Sequence, residues 1–163
     1  FGFNFSLAWK GFDLSANFTG AAGFQIAQSY RDPSSSQANY SRRILKRWTG
    51  EGTSNEIPRV TYGDVGNWLF SDLYLQDGDY IRLQNLTMGY DFKKLISWKG
   101  LSKMRLYFQV QNLFTLTKYD GMDPEIGSFN GTDGNSSDSW VSGVDMGYYP
   151  HPRTFIVGLN LAF

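Results

Sequence analysis

The residues able to do chemistry are few and scattered. Asp77 and Asp79 flank Gly78. Two carboxylates that close could share a proton or ligate calcium. Asp-Gly-Asp is also the composition of a tight turn, and a turn is expected here, just ahead of an alternating segment. Asp120, Asp123 and Glu125 stand in YDGMDPEIG. Their spacing lacks the alternating ligands and closing Glu of an EF-hand, so an ordered loop around Pro124 is expected. The single His, His151, lies between Pro150 and Pro152. A catalytic His needs a nucleophile and an orienting group beside it. Pro-His-Pro reads more simply as a stiff lead-in to a strand. There is no Cys, which removes thiolate nucleophiles, thiolate metal sites and disulfides. The expectation is no catalytic residue, no cofactor and no metal.

Binding features are broader. SRRILKRW (41–48) is the most basic run and could form one to two helical turns; such a run is usually a solvated face. Lys and Arg number 15 and so do Asp and Glu, so nothing draws the whole chain to nucleic acid. The Asn-x-Ser/Thr triplets at Asn4, Asn17 and Asn85 fall inside alternating segments, which makes glycosylation there implausible. The Gly/Asn/Ser/Asp-rich stretch 130–139 reads as an exposed loop tip. Trp68, Phe129 and Trp140, with Tyr40, are loop aromatics. They could stack on a substrate's sugar rings, pack the loops or meet a partner.

The elements that would position these residues are strands. In 1–10, FGFNFSLAWK, the odd positions Phe1 to Trp9 are all apolar and the even ones polar or small. That period of two predicts a strand. After Lys10-Gly11 the pattern resumes over 12–27, so a hairpin is expected. A third strand is predicted over 80–92. There Leu86, Met88, Tyr90 and Phe92 share one parity and Ile81 and Leu83 the other, a slip that a bulge, or an upper half lying outside the apolar zone, would explain. The fourth spans 104–116 and the fifth 153–163, where Phe155, Val157, Leu159, Leu161 and Phe163 form one face. The fold class is all-β and antiparallel.

Pattern alone suits a soluble β-sandwich or a transmembrane barrel. Three features favour the barrel. The faces opposite the apolar ones carry Asn, Ser, Thr, Gln and Gly, which suits a wet lumen. The turns alternate with long loops, 29–79 and 117–152, the asymmetry of outer-membrane barrels. The segments also match the roughly 9 to 11 residues of a tilted membrane strand. The final GLNLAF places Gly158, Leu161 and Phe163 as a barrel-assembly signal, with Ile156 where a polar residue is usual. Phe155, Val157 and Leu159 are then lipid-facing. Single-chain barrels take even strand numbers from about 8 upward, so these strands are expected to be part of a larger barrel.

The wording of the segments is more specific than their pattern. RWTGEGTSNEIPRVTYGD (47–64), SDLYLQDGDYIRLQNLTMGYDF (71–92), RLYFQVQNLFTLTKYDGMDPEIG (105–127) and YYPHPRTFIVGLNLAF (148–163) follow in order. Together they resemble the C-terminal region of the SusC/RagA family of TonB-dependent outer-membrane importers. The resemblance implies that 1–163 is the C-terminal part of one transmembrane domain, about five strands of a barrel of about 22. It implies uptake of glycans or peptides with a SusD-like surface lipoprotein as lid. It further implies contact with the remainder of the barrel, with a plug and with TonB through an upstream region absent from this chain. Outer-membrane lipid and the barrel-assembly machinery are the other implied partners. The location would be the outer membrane of a Gram-negative bacterium, multi-pass, with Phe163 periplasmic. Two alternatives share the strand chemistry: a structural outer-membrane barrel such as an adhesin anchor or secretion pore, and a soluble β-sandwich carbohydrate-binding module. In the barrel reading the five strands are expected to pair antiparallel in sequence order, with 1–10 and 153–163 as the edges.

Overall fold

The computed structural model describes residues 1–29, 42–61, 69–96, 98–126 and 143–163. They form two compact units. One comprises 1–24, 78–119 and 149–163, the other 25–77 and 120–148.

The first unit is a five-stranded sheet in the order β1-β2-β5-β6-β8, antiparallel throughout. Its strands are β1 (Gly2–Trp9), β2 (Phe12–Ala21), β5 (Tyr80–Asp91), β6 (Lys103–Thr117) and β8 (Thr154–Ala162). β1 and β2 are joined through Lys10 and Gly11, both at positive φ (48° and 93°), the conformation that suits the twist of a two-residue hairpin. At the same rim Asp91 N–H donates to the Gly11 carbonyl, and a 3₁₀ turn (Phe92–Lys94) leads towards β6. β1 and β8 are the two edges of this sheet.

Register carries the sheet's chemistry. Trp9, Phe12, Tyr90, Leu106 and Leu159 lie in one row across the five strands. The apolar positions of every strand therefore fall on one face. The charged residues of the strands, Asp13, Arg82, Asp91, Lys103 and Arg105, all fall on the other.

The parity slip in the third segment is a bulge at Gln84. Between Asn85 and Leu83 the partner β2 advances by a single residue, Asn17 to Phe18, so Gln84 is extra. Ile81 and Leu83 thereby rejoin the face of Leu86 and Met88. On β6 the same level is irregular too, with Asn112 at φ 52°. Its side-chain amide donates to the Pro152 carbonyl at 3.1 Å.

The strand predicted over 12–27 is not one strand. β2 ends at Ala21, and 25–28 joins a different sheet. Gly23, at φ 80°, has the wrong backbone for a ladder. Its N–H donates instead to Asp79 Oδ1 at 2.6 Å, and Gly78 N–H donates to the Phe24 carbonyl at 3.0 Å. Small side chains at 20–23 gave no packing penalty against this break.

The second unit shows that the long loops carry structure of their own. β3 (Gln25–Gln28) is the centre of a three-stranded sheet, antiparallel to β4 (Leu75–Asp77) and parallel to β7 (Val144–Asp145). Ile26 is fully buried in it. The basic run forms a 3₁₀ helix, Arg42–Lys46, rather than α-helix. Ser41, the first residue of that run, lies outside the described residues.

Deleting Gln84 should remove the extra residue, set Leu83 and Asn85 next to one another opposite Phe18 and Asn17, and leave Arg82 on the polar face. The expected result is amide hydrogen-exchange protection kept at 80–83 as well as at 85–91. Loss of protection at 80–83 with 85–91 still protected would rule out the bulge assignment.

Candidate functional site

The acidic groups are built into turns. Asp79 Oδ1 accepts from Gly23 N–H, and its carbonyl accepts from the Thr117 hydroxyl at 2.8 Å, so Asp77-Gly78-Asp79 is a junction between β4 and β5. Asp120 Oδ1 accepts from Gln28 Nε2 at 2.9 Å and Gln76 Nε2 at 2.7 Å. Asp123 is buried and accepts the Glu125 N–H. Asp145, with no exposed surface, accepts from Gly147 and Tyr148 N–H. Each carboxylate thus meets donors rather than a second carboxylate. Among the described residues no three acidic or His groups are placed to hold a metal. His151 Nδ1 stands 3.4 Å from Arg82 Nη1, with no nucleophile in that pair. Trp68, Phe129, Trp140, Tyr40 and the stretch 130–139 lie outside the described residues.

What the structure does assemble is a sheet with two chemically opposite faces. On the apolar face Phe155, Val157 and Leu159 of β8 are 62%, 72% and 51% exposed. Phe3, Phe5, Leu7 and Trp9 of β1 are exposed as well, as are Leu106, Phe114 and Leu116 of β6. An exposed apolar surface of this extent marks an interaction site, with a membrane or with another protein. Phe163 and Leu161 of the expected assembly signal extend the same face, Phe163 edge-on to Trp98 with centroids 6.3 Å apart.

The opposite face is polar and tightly ordered. Asn4, Asn17, Asn85, Gln111 and Thr154 make one row across all five strands, and the Asn17 amide donates to Asn4 Oδ1. Nearer the hairpin rim the row is Asp13, Gly89, Tyr107, Gly158. Here side chains alternate with glycines. Arg105 reaches diagonally across Gly89 and clamps Asp13 with two bonds, Nε to Oδ1 at 2.8 Å and Nη2 to Oδ2 at 2.5 Å. The paired geometry makes this a strong, directional contact. A Cβ on Gly89 would stand 2.5 Å from Arg105 Nη2 and 2.6 Å from Asp13 Oδ1. The Tyr107 ring likewise occupies the space a Cβ on Gly158 would need, and Arg105 lies 5.1 Å from that ring's centroid. Gly158, assigned to the assembly signal, therefore also has a packing role. At the far end Arg82 is buried and donates to the Thr115 hydroxyl at 2.9 Å.

Asp13, Arg82, Gly89, Arg105 and Tyr107 were not singled out from sequence as site residues. The available signal was that every strand charge shares the polar parity, once the Gln84 slip is allowed for.

No protein-family profile matches the chain. Among curated proteins, TonB-dependent receptor P3 of Formosa agariphila is 36% identical over 164 residues, which is 99% of this chain and 16% of the receptor. TonB-dependent receptor SusC of Bacteroides thetaiotaomicron is 30% identical over 166 residues, 99% of this chain and 15% of SusC. The chain thus spans about one sixth of the length of these relatives. Among solved structures, the RagAB peptide transporter superposes with a TM-score of 0.74 at 25% identity, covering 99% of this chain and 17% of that one. RagAB in an open-open state gives 0.71 at 24%. These relationships place the chain among the TonB-dependent receptors. Within that class it belongs to the SusC/RagA family.

Gly89→Ala should part Asp13 from Arg105 and cost about 1–3 kcal/mol by overpacking. In a background already carrying Asp13→Ala and Arg105→Ala the same change should cost clearly less. Equal costs in both backgrounds, measured by denaturant unfolding, would show that the glycine serves something else.

Proposed function

We propose that this chain is the wall, with the attached outer loops, of a TonB-dependent nutrient importer of the SusC type. The observation that carries the reading is the segregation of the sheet. Every charge in its five strands lies on one face, while the other is apolar and exposed across its width. Water on one side and hydrocarbon on the other is the environment in which both faces are stable.

The edges support a larger barrel. β1 and β8 have open ladders on their outer sides, and an unpaired backbone group in hydrocarbon costs several kcal/mol. Neither strand carries a proline or a charge to protect a free edge. In this reading β1 and β8 each pair with a neighbouring strand of the same barrel. Gly158, Leu161 and Phe163 then present the signal read during assembly.

Both long excursions join the sheet at one end: Ala21, Tyr80 and Thr117 are level at that rim, and β8 starts below it at Thr154, opposite Gln111. That rim is assigned to the outside and the hairpin rim, with Phe163, to the periplasm. The excursions, to which Trp68, Phe129 and Trp140 belong in sequence, would then meet substrate or a SusD-like lipoprotein lid. A glycan or a peptide is the expected cargo class, and RagAB is by name a peptide importer. The plug and the TonB contact would come from the rest of the receptor. The wall itself has no catalytic role in this account.

Arg at Leu159, mid-strand on the apolar face, should cost about 2–4 kcal/mol of barrel stability, whereas Arg at its neighbour Asn160 should cost much less. Unfolding titrations of the reconstituted receptor would read this. Equal costs at the two positions would contradict the assignment of faces.

A further inference from the structure

The hairpin rim carries a second pattern, which the transport reading does not use. Two tryptophans mark it on the apolar side, one at each end of the sheet. Trp9 ends β1 and is widely exposed, with Lys10 Nζ 5.0 Å from its ring centroid. Trp98 is also exposed, packs edge-on to Phe163, and has Lys93 Nζ bonded to its carbonyl at 2.8 Å. Lys99 follows it and is exposed. The connection 92–103, FKKLISWKGLSK, holds four lysines and no acid.

The acids near this rim are turned elsewhere. Asp13 is clamped by Arg105 on the polar face. Asp91 shares that face, and its carboxylate accepts the Lys93 backbone N–H. No carboxylate pairs with Lys10, Lys93 or Lys99 among the described residues. Lys10 thus lies over the Trp9 ring, Lys93 reaches the Trp98 carbonyl and Lys99 follows Trp98 in sequence, so each of these lysines neighbours a tryptophan residue. An indole rests at the boundary between acyl chains and headgroups. That depth sets the neighbouring ammonium at the level of lipid phosphate.

We propose that this rim binds anionic glycerophospholipid headgroups through Lys10 at Trp9 and through Lys93 and Lys99 at Trp98. The proposal rests on the barrel reading and adds a lipid preference to it. A zwitterionic headgroup offers phosphate together with its own cation. An anionic one offers unbalanced charge to lysines that have no other counter-ion.

The test uses the complete receptor that contains this segment, placed in nanodiscs of phosphatidylethanolamine and phosphatidylglycerol in equal amounts. Lipid retained after a detergent wash is extracted and quantified. Wild type should retain phosphatidylglycerol in excess, and raised salt should reduce the excess. Lys10→Asn, Lys93→Gln and Lys99→Gln together should bring the ratio to that of the disc, each lysine contributing about fivefold at most. Asn is chosen at 10 because the position has positive φ. The Arg triple substitution at the same positions should keep the excess, and Arg42→Gln with Arg43→Gln should leave it untouched. An unchanged ratio in the neutral triple variant, or an equal fall in the Arg42/Arg43 variant, overturns the lipid site alone. Failure of wild type to insert into phosphatidylethanolamine discs overturns the barrel reading and this proposal with it.

Discussion

Strand backbones carry donors and acceptors at every residue, and in hydrocarbon nothing but another strand can satisfy them. The continuous ladder from β1 through β2, β5 and β6 to β8 meets that demand inside the chain and leaves it unmet at two edges. Everything else in the sheet follows from keeping that ladder in register. A shift by one residue anywhere would carry Asp13, Arg82 or Arg105 onto the apolar side. Pairing and side-chain chemistry are therefore one constraint, and the bulge at Gln84 is the place where the sequence adjusts to satisfy both.

The polar face shows how order is kept without a core. The sheet has no second layer among the described residues of its unit, so few side chains are fully buried. Specificity comes instead from contacts along the rows: the Asn4–Asn17 amide pair, Arg82 on Thr115, and Arg105 on Asp13. Glycines at 89 and 158 clear the surface so that Arg105 and Tyr107 can lie flat across a neighbouring strand. Such flat packing keeps the polar face low and open.

Much of this was legible in the chain. The five ladder strands and their order followed from period-two alternation, because the pleat ties parity directly to face. The slip between Leu83 and Leu86 was visible too, with a bulge as one of two explanations that parity alone left open. What parity could not reveal was where a strand leaves its sheet. Residues 25–27 keep the alternation of 12–21, yet Gly23 breaks the ladder and Gln25–Gln28 pairs with strands from distant loops. β4 and β7 are too short to leave a periodic trace. The Arg105–Asp13 clamp was hidden for another reason: it is diagonal and 92 residues apart in sequence, so it exists only once register is known. The family resemblance rested on worded blocks such as YYPHPRTFIVGLNLAF, where chemistry and spacing constrain one another more tightly than alternation does.

The central claim is that one face of β8 meets lipid and the other water. The segment has no cysteine, so single cysteines can be placed at each position from 154 to 162 of a receptor otherwise free of them and spin-labelled in bilayers. Oxygen concentrates in hydrocarbon, and a water-soluble nickel chelate is excluded from it. The account predicts collision rates that alternate with a period of two. Oxygen should dominate at 155, 157, 159 and 161, and the chelate at 154, 156, 158, 160 and 162. A profile in which both faces meet the chelate equally, or in which the phase is reversed, would contradict it.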